Sequence, residues 1–367
     1  MGTKLTSRRG FLAGLLATGL APQASWADLG CPTYLSAAKQ ADGAYILAGL
    51  SAQGEVLFRC PLPDRGHAAS AHPIRPVVVA FARRPGRFAD VIDCRTGVRQ
   101  TRLTPPTGHH FYGHGCFNPD GSRLYTTEND FGTTRGVIGV WDTTDHYRRI
   151  TSFASGGIGP HDMLLRGDAD GLVVANGGIQ THPDTGREKL NLDSMQPNLT
   201  YLRFDGTVID QMHLPDDLHQ NSIRHLAMRQ DGTVGFAMQW QGEPGADVPI
   251  VGRHSPGTVP RLFAEDDPRV RNLNGYGGSI QFSADGTSIA VTSPRGGVVQ
   301  IMDIPSGALQ HEHRLEDVCG LATRDNGFIA STGSGRIVGL SQTTMTPLSQ
   351  TDLRWDNHLI RLTGEQS

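Results

Sequence analysis

The chain has 367 residues, and outside its first 27 it contains no apolar run of twenty. Nothing in the remainder therefore reads as a membrane-spanning helix. Charge is sparse: 19% of residues, with a formal net charge of −3. A general nucleic-acid binder needs a basic surface to displace counterions, so that class is not expected. Charge blocks are also missing, which argues against disorder and coiled coil. Cysteine is limited to five residues, Cys31, Cys60, Cys94, Cys116 and Cys319. No CxxC joins any two of them, so neither a thiol-redox motif nor a zinc knuckle is indicated. Without CxxCH there is no attached c-type haem. GxSxG and HExxH are absent too. Helical periodicity of useful length does not occur.

Glycine, by contrast, is abundant, at 46 residues. The first segment, MGTKLTSRRGFLAGLLATGLAPQASWAD, reads as an address. A polar stretch ends in Arg8-Arg9-Gly10-Phe11-Leu12, a short run of small residues and Leu follows, and Ser25-Trp26-Ala27 offers a cleavage site. The pattern resembles a twin-arginine export signal; an ordinary Sec signal is the alternative. The expected division is a signal peptide over residues 1–27 and one domain over residues 28–367, periplasmic and without a membrane span. In that oxidising compartment a disulfide can form. Cys60 and Cys94 are read as lying in corresponding third strands of adjacent blades.

The rest of the chain repeats one grammar. Asn118-Pro119-Asp120-Gly121, Arg229-Gln230-Asp231-Gly232, Ser283-Ala284-Asp285-Gly286 and Arg324-Asp325-Asn326-Gly327 each precede a strand of small and β-branched residues. Asp-Gly and Asn-Gly between such runs are strong hairpin signals. Units of three to four strands every 40–60 residues point to an all-β, seven-bladed β-propeller. Its blades fall at about 33–66, 67–108, 109–158, 159–218, 219–273, 274–316 and 317–362. The run Asn357–Leu362 reads as a strand that closes the ring beside the first blade, which ties the ends and protects blade edges. Separate β domains are the alternative, but no linker supports them.

The histidines then fall into register. His114 and His225 each lie six residues before the Asp of their turn, at the start of a first strand. His161 has the same place with about three extra residues, and His67 opens the second blade in the same way. His358 resembles His225 in local sequence. The sixth and seventh blades carry Ser279 and Gly320 there. First strands line a propeller's channel, so these positions converge at one rim. A single such His would be satisfied by backbone or water. A set of them suits a transition metal, because neutral imidazole is the commonest ligand for Zn, Cu, Fe and Ni. An empty ring would repel itself below about pH 6.5, so a metal or an anion is the expected occupant. His67, His114, His161, His225 and His358 are the candidate ligands.

Other residues are expected near the same mouth or in a lid above it. They are His109, His110, Tyr112, Glu128, Asp162, His182, Asp184, Arg187, His219 and Arg224. Three of these, His182, Asp184 and Arg187, lie in the long loop from Ala175 to Asn198, and long loops in compact folds are commonly functional.

The segments FYGHG, GIGPHDM, NGGIQTHPDTGREKLNLDSMQPNLTYL, QNSIRHLA and WDNHL, with the export signal, resemble a twin-arginine-exported periplasmic family, domain of unknown function 1513. The resemblance spans the mature chain. It implies a seven-bladed propeller linked to iron or copper handling. Imelysin-type proteins or a di-haem oxidoreductase are the implied partners. It supplies no reaction and no catalytic residues. Three functions stay open: a metal-binding protein, a metal-dependent oxidoreductase or hydrolase, and a metal-free interaction scaffold. The expected cofactor is iron or copper ahead of zinc, with neither haem nor nucleotide.

Overall fold

The computed structural model describes residues 24–83, 87–186, 188–325 and 327–362. They form seven antiparallel sheets of four strands each. Six blades are continuous in sequence. Blade two, for example, runs Gly66–Ala71, Val77–Ala82, Ala89–Asp93 and Val98–Leu103 from the inside out. The first blade is composite: its innermost strand is the C-terminal Arg354–Arg361, paired with Tyr34–Lys39. This is the ring closure expected from the sequence. It also moves Cys60 outward. Cys60 lies on the outermost strand of blade one, Val56–Leu62, whereas Cys94 follows the third strand of blade two, so their positions do not correspond. Both thiols are buried and free.

Blade packing explains the residue patterns. Val77–Ala82 is buried at all six positions because neighbouring blades cover both its faces. The outer strand Val98–Leu103 buries only its last residue. Apolar area is removed from water mainly between blades. One cluster runs from Val173 and Leu199 through Ile223 and Phe236 to Ile280 and Ile289, joining blades four, five and six. Burial of each such side chain is worth about 1.5–3 kcal/mol. The Asp-Gly turns also share one device. Asp120, Asp231 and Asp285 each accept the amide two residues on, at 2.8, 3.0 and 3.0 Å. The intervening glycines take positive φ.

The innermost strands are irregular in the same place. A register shift falls between Gly66 and Ala69, between Phe111 and Gly115, between Pro160 and Asp162, and between Ile223 and His225. Another falls between Val318 and Leu321, and the closing strand shifts between Trp355 and Leu359. Bulges re-aim side chains. Here they lie on or beside the five in-register histidines. Among the described residues no helix is long and apolar enough to cross a membrane. The proposed export segment lies almost wholly outside the described residues, as does Arg187.

Candidate metal centre

The five in-register imidazoles converge on the channel. Ring centroids of His67, His114 and His358 stand 4.8–4.9 Å apart. His161 lies 5.2 Å from His114 and 5.0 Å from His225, and His225 lies 5.0 Å from His358. Two three-imidazole groups result, His67 with His114 and His358, and His114 with His161 and His225. In each group the potential ligand atoms lie within 4.8 Å of one another. His114 belongs to both.

Side-chain hydroxyls that donate to backbone carbonyls hold the bulges that aim these rings. Ser36 donates to the carbonyl of His358 at 2.8 Å, and Thr127 to that of His114 at 3.1 Å. Gly113 permits the closest approach. Its φ is +107°, and a Cβ there would stand 2.6 Å from Cδ2 of His67.

Hydrogen bonds assign the tautomers. Nδ1 of His114 lies 2.9 Å from Oδ1 of Asp162. A carboxylate only accepts, so His114 carries a proton on Nδ1, and in its neutral form it turns a bare Nε2 to the channel. Asp162 is itself fixed, accepting the amides of Met163 at 2.8 Å and Leu226 at 3.0 Å. Burial pushes its carboxyl up, but the charge that His114 carries when protonated, and its hydrogen bond, outweigh that and bring the carboxyl to about 2. Carboxylate–imidazole pairs of this kind support metal-binding histidines.

Nε2 of His67 stands 3.2 Å from Nε2 of His114. Since the latter is bare, His67 donates to it. Two nitrogens on a tetrahedral ion with bonds of about 2.0–2.1 Å would stand about 3.3–3.4 Å apart. An ion can therefore replace the shared proton with little movement. Nδ1 of His67, Nδ1 of His225 and Nε2 of His358 are buried without a hydrogen-bond partner. Burial, with the neighbouring imidazoles, holds His67 and His225 well below the ordinary histidine range and brings His358 to about 3. Burial, followed by Arg224, does the same for His161. Burial thus favours the neutral, ligating form of His67, His161, His225 and His358. His161 differs in one respect. Arg224 donates to its Nδ1 at 3.3 Å, which puts the His161 proton on Nε2.

The ring separates two cavities. One, about 200 Å³, opens at the mouth and is lined by His67, His161 and His225 with Arg83, Lys189 and Arg224 among others. The other, about 570 Å³, lies along the channel against His114, Asp162, His225 and His358.

The remaining candidates divide. Tyr112 and Arg224 line the mouth, and the fourth-blade loop reaches it through Ile179, Thr181 and Lys189. Glu128 is not at either cavity; its carboxylate is buried in blade three, held by Arg149 at 2.5 Å and Thr126 at 2.8 Å, with His109 3.4 Å away. His110 stacks on Phe131. His182 accepts the amide of Asp184 and caps a short 3-10 turn; Asp184 itself is exposed. His219 is held by the carbonyl of Asp216. Sequence reasoning did not single out Arg83 or Asn357 as mouth residues. They carry no local motif: Arg83 follows the second strand of blade two, and Asn357 lies on the closing strand.

Fold and centre together define a seven-bladed propeller with a buried imidazole cluster on its axis. The chain belongs to the family described as Protein of unknown function (DUF1513), whose model matches residues 60–362. No curated protein matches it in sequence. In fold it is similar to a chain of Kuenenia stuttgartiensis hydrazine synthase, with a TM-score of 0.58 and 13% identity, over 91% of this chain and 98% of that one. It is also similar to a chain of the mitotic checkpoint complex, with a TM-score of 0.54 and 11% identity, over 78% and 80%. At these identities the likeness is one of fold.

Proposed function

We propose that this protein is a periplasmic metal-binding propeller, exported by the twin-arginine route, that holds one transition ion at the histidine ring. The observation that carries the reading is the His67–His114–Asp162 chain: two imidazole nitrogens at near-ligand spacing, one of them oriented by a buried carboxylate. His358 completes a three-imidazole set. The set of His114, His161 and His225 is less suited, because Arg224 holds His161 in the tautomer with a proton on Nε2.

The donor chemistry fits copper, zinc or ferrous iron. Ferric iron favours oxygen donors, and the carboxylates named from sequence are committed or remote: Asp162 to three hydrogen bonds, Glu128 to Arg149, Asp184 to solvent. Within iron or copper handling, this favours copper or ferrous iron. Imelysin-type proteins and a di-haem oxidoreductase are the proposed partners.

The test is elemental mass spectrometry for Fe, Cu, Zn, Ni and Mn on untagged protein recovered after native export. A folded His67→Ala/His114→Ala variant is measured beside it. About one ion per chain, lost in the variant, is expected. No ion in the parent, even after incubation with each metal, would sink the proposal.

A further inference from the structure

The mouth cavity has a chemistry of its own. Arg83, Lys189 and Arg224 line it, together with the neutral polar groups of Tyr112, Thr181, Gln239, Tyr276 and Asn357. Among the described lining residues there is no Asp or Glu. Arg83 is partly neutralised by Asp356 at 3.0 Å, an acid that also takes Arg65. Arg224 donates one nitrogen to the bare Nδ1 of His161 at 3.3 Å. Lys189 is held below the ordinary lysine range by partial burial and by Arg224 and Arg295. These cations crowd one another, and an anion between them would relieve that repulsion.

The cationic surface continues outward. A neighbouring groove shares Arg83, Tyr276 and Asn357 and adds Lys39, Arg65, Arg295 and Arg354, against only Asp317 and Asp356. The whole chain carries −3, so this concentration of cations opposes the overall balance. Clefts lined by one sign of charge raise the local concentration of the opposite ion.

We propose that the mouth cavity is a binding site for a small di- or tricarboxylate, gripped by Arg83, Lys189 and Arg224 directly above the histidine ring. The charge count sets the class: three cations, one already shared with Asp356, suit an anion of two to three charges. The volume of about 200 Å³ suits a molecule of citrate or succinate size. The neutral donors and acceptors around the wall suit its hydroxyl and remaining carboxylate oxygens. The site goes beyond the metal reading and does not depend on it, since its walls are charged without an ion in the ring.

Titration calorimetry with citrate, succinate and inorganic phosphate on the mature protein tests this. Metal is first stripped on an immobilised chelator, because soluble polycarboxylate chelators would compete. At low ionic strength, citrate or succinate is expected to bind one per chain and more tightly than phosphate. Lys189→Gln and Arg224→Gln should each weaken binding about tenfold or more. Arg95→Gln, whose side chain pairs with Asp93 on the outer surface, should change nothing. Lys189 sits on an exposed loop, so its variant keeps the test informative if Arg224→Gln folds poorly. His114→Ala should retain the anion, which separates failure of the metal site from failure of this one. Preference for phosphate, no binding of any probe, or binding indifferent to both variants would overturn the proposal.

Discussion

His114 donates from Nδ1 to Asp162 at 2.9 Å, and this one bond decides which of its nitrogens faces the channel. Blade three supplies the ring, and blade four supplies the carboxylate that turns it. Replacing Asp162 by Asn should present an amide that can donate to Nδ1 and push the proton to Nε2. Metal affinity should fall about 10- to 100-fold. Competition with a chromophoric chelator measures it, and an unchanged affinity would show that the pair does not orient a ligand.

The imidazoles should not contribute equally. His67→Asn and His358→Asn should abolish stoichiometric metal. His161→Asn should leave most of it, since Arg224 already holds His161 in the protonated-Nε2 tautomer. Metal content of the three purified variants decides the matter. Loss in His161→Asn with retention in His67→Asn would assign the ion to the other group of three.

Gly113→Ala should damage the site from a residue that ligates nothing. The new Cβ meets His67, and φ at +107° is costly for any other residue. A loss of about 1–3 kcal/mol in unfolding free energy is expected, with weakened metal binding. Denaturant titration with and without metal separates the two effects.

His72 lies outside the ring and offers a clean pH probe. Its Nδ1 accepts the amides of Ile74 and Arg75 at 3.1 and 3.0 Å. Burial first, then the charge of Arg75, brings it to about 4, against a weaker opposing pull from Asp120. A histidine depressed in the folded state contributes stability above its unfolded value of about 6.5. That contribution is lost as pH falls toward about 4. His72→Asn keeps an acceptor at the Nδ1 position and cannot titrate. Between pH 7 and pH 4.5 it should lose less stability than the parent, as thermal unfolding at the two pH values would register; an equal loss would rule His72 out as a contributor.

Much of this architecture is legible in the sequence because it repeats. The Asp-Gly turns reset the frame in several blades, so counting back from Asp120 and Asp231 finds His114 and His225 on equivalent strands. The closing strand is legible in Asn357–Leu362 as a strand-like run at the end of the chain, although it begins earlier, at Arg354. What does not repeat was harder to see. Asp162 appears in sequence as a possible ligand, yet its oxygens are taken by His114, Met163 and Leu226, contacts that cross three blades. Glu128 looks like a mouth residue by strand position, but Arg149 draws it into the blade interior. The bulges left a faint trace in Gly113 and Gly115 beside His114, and in Gly159-Pro160 before His161. Arg83 has no such trace; it follows the second strand of blade two, and its side chain pairs with Asp356 across the closure.

The composite first blade has a consequence in time. His358 belongs to the last strand of the chain, and the His67–His114–His358 set does not exist until that strand has inserted beside Tyr34–Lys39. A chain still emerging from the ribosome, or one clipped near its end, lacks the third imidazole however well its other blades have formed. Stable capture of an ion would then certify a finished molecule, and loading and completion of the circle would be one event.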